Sequence, residues 1–146
     1  MKTTTKKFAS IIVLTIATAF LLAGCGNAAK LTEYDFGTDK VPSVNAVIGE
    51  ERKVTGVSTG TENGVRYKQY TYETETMVED LSTYYYSLSE LGWIVTKDFN
   101  LNVRNGEMQL GKESADKGKI LIISVDFAPS QYAIRINKLD GTLEIN

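Results

Sequence analysis

The chain has no histidine and only one cysteine, Cys25, among 146 residues. Those two shortages remove whole reaction classes. Ser-His-Asp and Cys-His nucleophile systems, zinc centres and thiol redox chemistry all need side chains that are missing here. A disulfide within the domain is excluded for the same reason. Stability must then come from core burial, which 42% hydrophobic residues makes feasible. A membrane-length apolar run is also missing: the stretch from Phe8 to Leu22 falls short of the ~20 residues that span a bilayer comfortably.

What is present begins with that stretch. A basic head from Met1 to Lys7 precedes it, and Leu22-Ala23-Gly24-Cys25 follows. The arrangement resembles the lipobox signal peptide of bacterial lipoproteins. The resemblance implies that diacylglycerol is joined to the Cys25 thiol and that residues 1–24 are cleaved away. The mature protein would then be lipid-anchored on the extracytoplasmic side of the cell membrane. Its 122 residues suffice for one domain with one core. Lys2, Lys6 and Lys7 leave with the signal, so 13 basic side chains face 18 acidic ones, net −5. Nucleic acid is excluded as a partner, because phosphate binding needs a basic patch and none survives processing. Membrane attachment must rest on lipid instead of charge.

Residues 25–51 read as the lipidated cysteine followed by a tether and lead-in segment. Tyr34, Phe36, Val44, Val47 and Ile48 suggest that its later part lies against the domain. Residues 52–146 read as a single α+β domain. Arg52 to Thr59 and Val65 to Glu73 are rich in Val, Thr and Tyr, with Glu62-Asn63-Gly64 as the hairpin turn between them. Met77, Val78, Leu81, Tyr84, Tyr85, Leu88 and Leu91 recur at helical spacing. Thr76 and Glu79 form a capping-box pattern, and Gly92 with Trp93 supplies a Schellman stop.

Three turns then predict a meander. Asn105-Gly106 pairs Arg104 with Glu107, Val103 with Met108 and Leu101 with Leu110. A loop at 115–118 sets Leu110 opposite Ile123 and Met108 opposite Val125. A third turn sets Phe127 opposite Tyr132, Val125 opposite Ile134 and Ile123 opposite Ile136. All three registers send one apolar set to one face. The order β-β-α-β-β-β-β predicts a two-layer α+β domain, one helix packed on a mostly antiparallel sheet.

The opposite face carries the interaction candidates. Ile120 and Ile122 point away from the helix side, joined by Ser124, Asp126, Ala133 and Arg135, with Asp126 and Arg135 placed for a diagonal ion pair. Such apolar outer positions are what a binding or dimer face needs. Among eight tyrosines, Tyr86 is the member of the 84–86 run expected in solvent, and exposed aromatic rings suit glycan or peptide contacts. The acidic run Glu73, Glu75, Glu79 and Asp80 could supply an acid and a base for glycoside cleavage, but acidic residues at a helix start are already favoured by its dipole. Asp35, Asp39, Asp116 and Asp140 lie near glycines without an EF-hand series, so no metal site, catalytic residue or cofactor is expected.

The Val54-Thr55-Gly56-Val57 strand, the helix from Asp80-Leu81 to Gly92-Trp93 and the Ile120 to Phe127 strand are similar to small lipoproteins of single-membrane bacteria. That resemblance covers most of the mature chain and implies no activity. The expectation is a non-catalytic envelope binding or scaffolding domain, with an envelope protein or glycan as partner. The alternatives are a carboxylate enzyme acting on wall polymers and a protein inhibitor or assembly subunit.

Overall fold

Stretches rich in Val, Ile, Thr and Tyr, punctuated by glycine turns, fold mainly as antiparallel sheet. The computed structural model describes residues 31–144, so Leu22, Ala23, Gly24 and Cys25 of the lipobox lie outside the described residues. The elements are β1 (Glu33–Phe36), β2 (Asp39–Pro42), α1 (Val44–Ile48), β3 (Lys53–Glu62), β4 (Val65–Glu73), α2 (Met77–Glu90), β5 (Ile94–Lys97), β6 (Gly106–Glu113), β7 (Lys119–Ala128) and β8 (Gln131–Asp140). β1 and β2 form a hairpin, and the other strands form one sheet in the order β3-β4-β8-β7-β6-β5. Among the described residues no helix is long and apolar enough to cross a membrane.

The lead-in segment is more structured than its composition suggested. The first three elements lie within it and were absent from the expected order. Tyr34, Val41 and Val44 are fully buried, and the Tyr34 hydroxyl lies 2.6 Å from that of Tyr72 on β4. Ser43 caps α1 through its hydroxyl, which accepts from the Ala46 N–H at 3.1 Å. Mixed polarity hid these elements because each is only four or five residues long, too short to show a period.

The two later registers match expectation: Leu110 stands opposite Ile123, Val125 opposite Ile134 and Phe127 opposite Tyr132. The Asn63-Gly64 turn has positive φ at both residues, 50° and 80°, as a tight hairpin requires. Helix α2 stops as written, with Trp93 N–H donating to the Leu88 carbonyl and Gly92 N–H to that of Ser89, both at 3.0 Å. Buried Leu81, Tyr84 and Leu88 share one apolar cluster with Leu110, Ile123, Val125, Ile134 and Ile136.

Two local expectations fail. The predicted capping bond is not formed: Thr76, at φ −114° and ψ 39°, lies off the extended N-cap conformation, and its hydroxyl accepts from Arg52 Nη2 at 3.1 Å while donating to the Asp80 carboxylate at 3.1 Å. The predicted Asn105-Gly106 hairpin is also absent. β5 is Ile94–Lys97 and pairs Val95 with Leu110, leaving Asp98 to Asn105 as a connection. Gly106 serves a different purpose. It faces Phe127, where a Cβ would stand 2.4 Å from the ring Cζ. A glycine demanded by a neighbouring ring reads, in sequence, like one demanded by a turn.

Candidate interaction surface

Strand alternation sends Tyr70, Ile134, Val125 and Met108 into the core, so their chain neighbours occupy the other face of the sheet. There one register row is polar throughout. Ser58 stands opposite Gln69, Gln69 opposite Arg135, Arg135 opposite Ser124, Ser124 opposite Gln109, and Gln109 opposite Lys97. Hydrogen bonds run along this row. Arg135 Nε donates to Gln69 Oε1 at 2.9 Å, Gln109 Nε2 to Ser124 Oγ at 3.2 Å, and Thr96 Oγ1 to Gln109 Oε1 at 2.8 Å.

Arg135 is the best-held member. Its Nη1 donates to Glu62 at 2.6 Å, and its guanidinium lies over the Tyr67 ring, 4.5 Å from the centroid. A guanidinium offers five N–H donors. Among the described residues two of them are engaged, which leaves three for a ligand.

The structure redistributes the residues singled out above. Arg135 and Ser124 are in the row, whereas Asp126 is exposed one row away, opposite Ala133 and Glu107. The expected Asp126–Arg135 ion pair is not formed, because β4 docks on the far side of β8 and its hairpin brings Gln69 and Glu62 to the guanidinium. Ile122 is not an open apolar centre either. It is 8% exposed, and beside it the space above Gly111 is filled by Thr96, Ile122 and Leu143, each 3.0–3.2 Å from where a Cβ would stand. The chain after β8 folds back, with Leu143 N–H donating to Glu113 at 2.6 Å. Ile120 is half-buried, with its Cδ1 4.0 Å from the position of a Cβ on Gly141. Tyr86 is 67% exposed as expected, but it lies on α2 beside Tyr85, which meets Phe99 edge-on at 5.1 Å. It is not part of the row.

The acidic run resolves into separate roles. Glu73 pairs with Lys53 at 2.9 Å, and Glu75 and Glu79 are exposed. Asp80 is buried and receives Arg52 through Nε at 2.8 Å and Nη2 at 2.9 Å. Thr74 at 3.1 Å, Thr76 at 3.1 Å and Tyr132 at 3.3 Å complete its shell. Burial pushes this carboxyl up, but the hydrogen bonds from Arg52, Thr74 and Thr76 outweigh it and hold Asp80 below its ordinary value. Burial and the neighbouring Asp80 charge raise the Tyr132 phenol. Asp80 is therefore a tie between the β3 approach, α2 and β8.

Of the loop aspartates, Asp39 and Asp116 share Lys138 at 2.6 and 2.7 Å, and Asp140 pairs with Lys119 at 2.6 Å. Lys138 lines an open cleft of about 870 Å³ between the β1–β2 hairpin and the β3–β4 turn. Among the described residues, no three acidic side chains gather as a metal site would need.

No family model matches this chain, and no curated protein or solved structure is significantly similar to it. The reading of the surface rests on its own chemistry. Ser58, Gln69, Gln109 and Lys97 were not singled out from sequence as part of it. Their only signal is register, and the decisive pairing of β4 with β8 joins segments 66 residues apart at Gln69 and Arg135.

Proposed function

We propose that this protein is a lipid-anchored lipoprotein on the extracytoplasmic side of the cell membrane, and that it binds an extended envelope glycan without catalysis. In this reading α2 forms one layer and the six-stranded sheet the other, which leaves the polar face free for ligand. The observation that carries the proposal is the row from Ser58 to Lys97, with Arg135 fixed at its middle and three donors to spare.

Adjacent strands are ~4.8 Å apart, so the row offers an amide, guanidinium or hydroxyl at each step from Ser58 to Gln109, and ends on the Lys97 ammonium, which pairs with Glu107. Sugar hydroxyls both donate and accept, and planar amide and guanidinium groups meet them with directed bonds. The neighbouring Tyr67 ring supplies an apolar surface with a polar tip. Two acyl chains hold a protein stably at a bilayer, so diacylated Cys25 needs no basic patch.

Cosedimentation with purified wall glycan tests the reading. The wild-type chain should pellet with the polymer, and Arg135→Ala with Gln69→Ala should remain in solution. Equal pelleting of both chains would reject the row as the site. Selective capture of an envelope protein through the same residues would instead favour the assembly-subunit alternative.

A further inference from the structure

Among the described residues β3 is an edge strand of ten residues, and the bulge between Val54 and Gly56 is its only interruption. Edge strands of monomeric proteins are usually short or interrupted by charge or proline, because their free N–H and C=O groups invite another strand. Here Val54 to Thr61 is an unbroken run of eight uncharged residues without proline. Val57 at its centre is 58% exposed. The charges stand only at the ends, Lys53 and Glu62.

We infer that β3 pairs antiparallel with β3 of a second copy of this chain, about a two-fold axis at Ser58. Directly opposed residues of an antiparallel pair must share a face, which restricts the registers that a two-fold axis allows. With Ser58 opposite its own copy, Val57 faces Thr59 and Gly56 faces Gly60. The bulge between Val54 and Gly56, which leaves Thr55 unmatched, then brings Val54 opposite Thr61 and Lys53 opposite Glu62. Without the bulge Lys53 would fall past the end of the partner strand. The symmetry forms the Lys53–Glu62 contact twice, so the only two charges on the strand are complementary in this register.

The pairing has a structural consequence independent of any ligand. Ser58 is the outermost member of the polar row. A two-fold axis through it joins the rows of two copies into one line across a continuous twelve-stranded sheet.

Cysteine cross-linking and charge exchange test this in the full-length chain in its own membranes. Opposed Cα atoms lie ~4.5–5.5 Å apart, within disulfide reach. Ser58→Cys should give an oxidant-induced dimer, and the wild-type chain, whose sole cysteine is Cys25, should not. In the Ser58→Cys background, Lys53→Glu or Glu62→Lys alone should weaken association roughly tenfold, because each change turns two attractions into repulsions.

The double exchange Lys53→Glu with Glu62→Lys should restore it. Within one copy these residues are nine steps apart, roughly 30 Å. Their internal partners Glu73 and Arg135 remain mismatched, so recovery must come through the second copy. Circular dichroism of each purified variant checks that it is folded. No Ser58 dimer, a cross-link to a different protein, or failure of the folded double variant to recover would each overturn the inference.

Discussion

Arg135 Nε and Gln69 Oε1 meet at 2.9 Å across the β8–β4 pairing, on the face of the sheet opposite the buried Ile134 and Tyr70. That contact fixes the plane of a guanidinium in the middle of a polar row. A site of this kind is organised before ligand arrives, which reduces the entropy lost on binding.

Asp80 is predicted to matter for folding. Asp80→Asn leaves the half-buried Arg52 with only Glu50 as ionic partner and should cost about 3 kcal/mol in urea denaturation. Burial raises both Asp80 and Asp39, but their hydrogen bonds prevail and both carboxyls are lowered in the fold. Their contribution is therefore complete above the unfolded value of about 4 and fades as pH falls through it toward the folded values. Stability of the wild type should drop between about pH 5 and 3, and Asp80→Asn should flatten that slope. Parallel slopes would contradict the assignment.

Gly106→Ala places a methyl group against the buried Phe127 ring and should cost about 1–3 kcal/mol. Asn105→Ala, in the preceding connection, should change stability by less than about 0.5 kcal/mol. Chemical denaturation of the two variants separates this account from a two-residue hairpin, which would make Asn105 the sensitive position.

Leu143→Ser should uncover Ile122 beneath the returning C-terminal segment. A loss of about 1 kcal/mol is expected from the apolar surface returned to water, together with increased binding of an apolar fluorescent dye. Unchanged dye binding would mean that Leu143 does not cover this face.

Cys25→Ser removes the proposed lipid attachment. Fractionation of cells should then find the protein soluble or with its signal uncleaved. Membrane retention after signal cleavage would refute the lipid anchor.

Local signals in the sequence were read well where one segment carries them. The Asn63-Gly64 turn, the Gly92-Trp93 helix stop and the β6–β7–β8 registers all belong to neighbours in the chain. Only two of the six members of the candidate row, Ser124 and Arg135, were visible: Ser58 and Gln69 depend on β4 crossing to β8 over an intervening helix and three strands, and Lys97 on the β5–β6 pairing that the expected Asn105-Gly106 hairpin displaced. The same limit explains the misplaced partner of Arg135. Thr76 differs for another reason: the capping pattern is present, but Arg52, drawn in by the buried Asp80, donates to its hydroxyl in place of the helix N–H groups.

The most direct test is nuclear magnetic resonance titration of the full-length chain, held in lipid nanodiscs, with soluble wall-glycan fragments. The side-chain amide signals of Gln69 and Gln109 and the guanidinium signals of Arg135 should shift together and saturate at one affinity, while the exposed Tyr86 ring stays unchanged. Shifts confined to Tyr86 and its neighbours, or none with any fragment, would contradict a glycan-binding row.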